Sequence, residues 1–325
     1  MPHLPRSFAA ALVAVAVVAA ACGDDTEPAT IDLVADDPDA AVDYGPPPPV
    51  PEGPLADALV ADLDTLFGSL GSGEFDLPAL QRLGAGGDAR LAWLFADLLR
   101  FTAPGSILHD AAVVAWQQIT GAVADGPGSP WGNTTDHLLA WDTPAPPGYV
   151  DWKRQVFELV EPGWAPFFDD EDATIDWRWV SWGGVRIDDR PIDRTDQPCP
   201  EGCIPALNDP ALTDAAGGDW YPDDRLVFGL EVDGEAVAFP RNIMEVHEMV
   251  NLTVAGRRIG LPYCTLCGSA QAYRTDEIAD GVDLGDHDAY ELRTSGLLSR
   301  SNKVMYEFHT RSVFDTFTGE AVSGA

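Results

Sequence analysis

The hydrophobic pattern of this 325-residue chain changes its period along the sequence, and this change restricts the fold more than any other feature. Over residues 55–125 apolar side chains recur every three or four positions, as at Leu59 and Leu63, which is helical spacing. In the C-terminal part, short apolar segments instead flank glycine turns at Gly234 and Gly256, as in β-hairpins. Helices followed by hairpins predict an α+β fold with a helical N-terminal region and a mainly β C-terminal domain.

The N-terminal helices form short, consecutive units. Asp88 is placed to cap one helix, and another runs from Ile107 to Ile119 and stops at Gly121. Paired helices of this kind resemble a HEAT-type repeat, but two copies are fewer than the roughly three that a solenoid needs. We therefore predict a helical subdomain over residues 55–125.

Tryptophan is concentrated between the helical and the β-rich parts, over residues 126–198. This region holds seven of the ten tryptophans, namely Trp131, Trp141, Trp152, Trp164, Trp177, Trp179 and Trp182. We predict a helix over Tyr149 to Val160 and a strand over Trp177 to Trp182. A row of tryptophans can stack on the glycans of a cell envelope, but such residues also form the core of loop-rich regions.

The β-rich domain is predicted over residues 199–325, with one short helix between its hairpins. Strands are predicted at Leu226 to Val232, Ala236 to Phe239, Leu252 to Val254 and Arg258 to Tyr263. Pro240 can open the helix, whose apolar face would carry Ile243, His247 and Val250.

The first residues predict export. An apolar run from Phe8 to Ala21 is shorter than the roughly 20 residues that span a bilayer, and it ends at Cys22. Small residues before a cysteine, followed by acidic residues, resemble a bacterial lipobox. We predict a lipoprotein signal peptide over residues 1–21 and a lipid anchor on Cys22 at the extracytoplasmic face of the cell membrane; the alternative is an ordinary signal peptide cleaved near Ala21.

The segment that follows is a predicted tether. Residues 22–54 are rich in Asp, Ala and Pro and include four consecutive prolines, so they bury too little apolar surface to fold.

The whole chain has a formal net charge of −34, and a surface of that sign repels phosphate. We therefore expect a membrane partner through the lipid and no nucleic-acid partner.

Four of the five cysteines remain after Cys22, and they form two close pairs. Cys264 and Cys267 form a C-x-x-C directly after a predicted strand, where a pair can close a disulfide, bind a metal or cycle between dithiol and disulfide. Cys199 and Cys203 can complete a four-cysteine zinc site or form a local disulfide, and the oxidising compartment favours the disulfide.

His247 is the candidate partner of the C-x-x-C. An imidazole beside it can stabilise a thiolate, although an inward histidine is more often a hydrogen-bonded core residue. The alternative is a zinc or copper site at Cys264, Cys267 and His247. Under the redox hypothesis no cofactor is expected.

Five ordered blocks carry a resemblance to a known family. They are residues 204–210 (IPALNDP), 247–251 (HEMVN), 263–269 (YCTLCGS), 295–306 (from SGLL to MY) and 318–322 (TGEAV). Together they resemble the bacterial and archaeal family called domain of unknown function 3179, over residues 200–325. Thr265 stands where that family usually has proline, and the Cys199/Cys203 pair lies outside its common pattern.

The resemblance implies redox use of the C-x-x-C, because some family members carry selenocysteine there. By position, Cys264 and Cys267 are then the reactive pair, with His247 beside them. Apart from the resemblance, the partner expected besides the membrane is a redox protein or an envelope glycan. The family domain normally continues beyond the last block, so we expect this chain to lack the end of the domain.

Overall fold

The computed structural model describes residues 42–124, 126, 128–194, 197–199 and 202–324, and it confirms the α+β class. The α-helices are α1 (Asp57–Gly71), α2 (Leu77–Ala85), α3 (Ala92–Phe101), α4 (Ile107–Thr120), α5 (Pro130–Ala140), α6 (Tyr149–Val160) and α7 (Arg241–His247). Within the described ranges, no helix has both the length and the apolar character needed to cross a membrane.

The helix ends follow local chemistry. The Ser106 side chain accepts a hydrogen bond from the backbone of His109 and begins α4, while Gly121 ends it with a positive φ of 72°. The Asp88 side chain caps a short 3-10 turn, Ala89–Leu91, which leads into α3. The predicted bounds of α6 are confirmed at both ends.

The strands form two sheets and a separate ribbon. They are β1 (Val180–Trp182), β2 (Leu207–Asn208), β3 (Val227–Val232), β4 (Glu235–Pro240), β5 (Met249–Val254), β6 (Arg257–Cys264), β7 (Ser269–Ala270), β8 (Tyr273–Arg274), β9 (Leu292–Ser299), β10 (Asn302–Glu307), β11 (Val313–Asp315) and β12 (Ala321–Ser323). The first sheet has the order β1-β9-β10-β11-β12. The second has the order β2-β5-β6-β7, with β8 also paired to β6, and β3 and β4 form the ribbon.

Both predicted hairpins are present, and two details differ. The predicted strand over Trp177 to Trp182 begins only at Val180, because the Asp176 side chain caps a 3-10 turn over Trp177–Trp179. The helix after Pro240 ends at His247, so Val250 belongs to β5 instead of to the helical face. The buried residue of α7 is Met244.

The first sheet separates two cores, because neighbouring side chains of a strand point to opposite faces. Val304 and Tyr306 of β10 pack into the core shared with the helices. Met305, between them, packs on the other face with Met249 of the second sheet. The second sheet is therefore packed against the first.

Candidate functional site

The C-x-x-C lies in a tight turn of a β-hairpin. Cys264 is the last residue of β6 and pairs with Ser269 of β7, so residues 265–268 form the loop. Gly268 has a φ of 63°, a conformation that glycine adopts without steric cost. Cys264 therefore ends the strand before this short turn, and Cys267 lies within the turn.

The two thiols differ in exposure. Both are free, with Cys264 only 2% exposed and Cys267 exposed. Both sulfurs are within hydrogen-bonding distance of one acceptor, the carbonyl oxygen of Ser301, at 3.8 Å from Cys264 Sγ and 3.1 Å from Cys267 Sγ. Ser301 lies in the turn between β9 and β10, so turns from two sheets meet at this carbonyl.

The electrostatics of the pair are asymmetric as well. Although Cys267 is exposed, partial desolvation in the loop raises the pKa of its thiol to about 11, and its hydrogen bond to Cys264 and the charge on Cys264 add to this effect. The exposed thiol therefore stays protonated at neutral pH when Cys264 carries the charge.

Glu248 accepts hydrogen bonds from the residues on both sides of Cys264. It adopts a left-handed conformation, with a φ of 52°, between α7 and β5. Its carbonyl oxygen accepts a hydrogen bond from the backbone N–H of Tyr263 at 2.9 Å, and its carboxylate accepts one from the hydroxyl of Thr265. The residues before and after Cys264 are thus both hydrogen-bonded to Glu248, one to its backbone carbonyl and the other to its carboxylate.

Lys303 of β10 binds the same residue. Its ammonium group donates to the carbonyl oxygen of Glu248 at 2.7 Å and lies 3.3 Å from carboxylate Oε2. The lysine is 4% exposed, and burial lowers its pKa to about 8 although Glu248 and Cys264 both act to raise it. A buried cation thus stands on the Cys264 side of the turn.

His247 is engaged elsewhere. Its Nδ1 donates to the carbonyl oxygen of Pro205 at 2.8 Å, and the side chain is half-buried.

In the part of the chain that the structure describes, one group of three His, Cys, Asp or Glu side chains has its ligand atoms within 4.8 Å of one another: Asp188, Cys199 and Cys203. Cys264, Cys267 and His247 do not form such a group, and a zinc or copper site there stays a prediction.

Cys199 and Cys203 are joined by a disulfide. The bonded sulfurs have no thiolate to offer a metal in this state. They lie near the carboxylate of Asp188, which is fully buried and paired with Arg190 and Arg293. This disulfide closes the loop just before the β-rich domain.

The tryptophans of the predicted glycan platform lie in or against the helical core. Trp177 is buried on Phe168, with ring centroids 4.3 Å apart. Arg300 covers Trp179 at 3.7 Å, and Trp182 stacks on Phe101. Glycan binding at Trp177 to Trp182 stays a prediction.

Cys22 lies outside the described residues, so its lipidation is a prediction as well.

The sequence pattern did not reveal Lys303 or Ser301 as parts of the site. One signal was present: only two of the 19 basic residues, Lys153 and Lys303, are lysines. Both lysines are buried in ion pairs, Lys153 with Asp97 at 2.6 Å.

Comparison with known proteins identifies the C-terminal part of the chain. Residues 201–325 match the model of a family described as "Protein of unknown function (DUF3179)", which confirms the resemblance seen in the five blocks. No curated protein and no solved structure matches the chain.

Proposed function

We propose, for a chain whose residues 201–325 match a family of unknown function, that Cys264 and Cys267 perform thiol–disulfide exchange at the outer face of a cell membrane. The observation that carries this proposal is one accessible thiol beside one buried thiol, in a tight turn where both reach the Ser301 carbonyl. Exchange needs an accessible sulfur to form a mixed disulfide and a second sulfur close by to resolve it.

The reaction is a two-electron exchange. In the oxidised pair a bond joins the sulfurs of Cys264 and Cys267. Two substrate thiols give up two electrons and two protons, a disulfide forms between them, and the pair becomes two thiols. The reverse direction reduces a substrate disulfide by the same steps.

Export and lipid anchoring on Cys22 complete the proposal. The disulfide between Cys199 and Cys203 supports export, because such bonds persist in oxidising compartments and are rare in the cytosol. The apolar run that ends at Cys22 supports a lipid anchor.

A redox titration with mass-spectrometric thiol trapping tests the exchange reaction. The protein is equilibrated in buffers of defined potential, its thiols are alkylated, and the oxidised fraction of each pair is read from its peptides. We expect the Cys264/Cys267 pair to be reduced within the range of exchange proteins, above about −300 mV. The Cys199/Cys203 disulfide serves as the internal control and should be reduced at a lower potential.

Serine variants separate reactivity from structure. Cys267→Ser should abolish exchange with a small disulfide, whereas the matched double variant Cys199→Ser/Cys203→Ser should retain it. A Cys264/Cys267 pair that stays oxidised below about −300 mV is a structural disulfide, and this result would refute the proposed function.

A further inference from the structure

The two cysteines of the C-x-x-C have different surroundings: a buried ion pair lies beside Cys264, and Cys267 is exposed. Glu248 accepts hydrogen bonds from the residue before and the residue after Cys264, and Lys303 donates to the Glu248 carbonyl. Glu248 and Lys303 are both at least nine-tenths buried. Cys267, by contrast, is exposed in the loop.

One short segment supplies two of the groups. Ser301, whose carbonyl accepts from both thiols, precedes Lys303 by two residues at the start of β10. The ammonium group of Lys303 and a Cys264 thiolate attract each other, and this attraction is among the causes that raise the pKa of the lysine. Lys303 is also joined to this half of the turn by geometry, because the Glu248 carbonyl that it binds accepts the backbone N–H of Tyr263, the residue before Cys264.

Building on the proposed exchange reaction, we propose that the Lys303–Glu248 ion pair sets its direction: substrate thiols attack Cys267, Cys264 leaves as a thiolate, and the substrates are thiols that become oxidised. Lys303 acts here as a positioning residue, since it acts on Cys264 and not on the substrate.

The step balances in electrons and protons. A substrate thiolate attacks the Cys267 sulfur of the oxidised pair, the bond between Cys267 and Cys264 breaks, and its electron pair remains on Cys264. A second substrate thiolate then attacks the substrate sulfur of the mixed disulfide. The substrates leave as a disulfide, and the Cys267 sulfur takes a proton.

The reactivity rules for thiol exchange favour this direction. A leaving sulfur departs faster when its thiolate is stabilised, and the attacked sulfur has to be accessible. The position of the Lys303 cation on the Cys264 side of the turn favours Cys264 as the leaving sulfur, and the exposure of Cys267 favours it as the attacked sulfur. In the opposite direction Cys267 would have to attack as a thiolate, and its raised pKa disfavours that form.

The first test measures the equilibrium of the pair with reduced and oxidised glutathione at pH 7. Lys303→Met should shift the equilibrium toward the protein disulfide by about tenfold or more, because a charged hydrogen-bonding partner of the site is lost. Lys153→Met is the matched control: it removes the other buried, ion-paired lysine, and it should leave the equilibrium unchanged. Lys303→Arg, which keeps a cation, should stay within about threefold of the unchanged protein.

The outcomes distinguish the two proposals. If the unchanged protein does not exchange with glutathione at all, the proposed function fails. If it exchanges, two results would overturn the assignment of direction. One is an unchanged glutathione equilibrium in Lys303→Met. The other is a folded Lys303→Arg protein whose equilibrium is shifted as far as that of Lys303→Met.

A second test needs no lysine variant. The oxidised protein is treated briefly with reduced glutathione, quenched with acid and mapped by peptide mass spectrometry. Glutathione should be found on Cys267. Its recovery mainly on Cys264 would overturn the assignment even if Lys303→Met fails to fold.

Discussion

The buried amine of Lys303 predicts an unusual dependence of stability on pH. Its pKa falls from 10.5 to about 8 on folding, mainly through burial. Between these values the unfolded chain binds more protons than the folded chain, so the free energy of unfolding rises with pH. At about 1.4 kcal/mol for each pKa unit, this one group adds about 3 kcal/mol between pH 8 and pH 10.5.

The measurement is urea unfolding at a series of pH values in a Cys264→Ser/Cys267→Ser background. Removing both thiols removes their own titration from the same pH range. The reference is the same background carrying Lys303→Met, so the difference between the two curves isolates the lysine. We expect this difference to change by about 3 kcal/mol in favour of the lysine protein as the pH rises from 8 to 10.5. Parallel curves would show that the amine titrates normally, and the reasoning about its burial would then be wrong.

Three further predictions concern the anchor, the sheet and the metal alternative. Cys22→Ala should move the protein from the membrane fraction to the soluble fraction and abolish its labelling by fatty acid; retention of both would exclude lipidation at this residue. Gly296→Ala should lower the free energy of unfolding by about 3 kcal/mol, because the added carbon would lie 2.4 Å from the Val185 carbonyl oxygen. Gly285→Ala is the control, since Gly285 has a similar φ and no neighbour within 4 Å, and it should cost about 1 kcal/mol. Urea unfolding measures both values. Elemental analysis of anaerobically purified protein should find no stoichiometric zinc, copper or iron, and finding one of them would favour the metal alternative.

The fold class was predictable because its signals are local. Helical periodicity identified α4 and α6 almost to the residue, and the glycine turns at Gly234 and Gly256 identified two hairpins. The predicted strand from Trp177 was too long, since the capping of a 3-10 turn by Asp176 depends on its side-chain conformation.

The candidate site was predictable only in part. The C-x-x-C is contiguous, so its two sulfurs were identified directly. Its surroundings depend on tertiary packing: Lys303 reaches the turn from β10, and Glu248 does so through a left-handed conformation that non-glycine residues rarely adopt. The sequence places His247 on an inward helical face with Val250, but the residue is half-buried at the end of α7, and its hydrogen bond to Pro205 depends on a segment distant in sequence.

Because both lysines are buried, chemical modification of their amines can measure local unfolding of this protein. Lys153 lies among the helices and Lys303 beside the C-x-x-C, and neither amine is accessible in the folded chain. An acylating reagent therefore modifies either lysine side chain only when the structure around it opens. The two modification rates would report separately on opening of the helical region and of the β-rich region, without any introduced label.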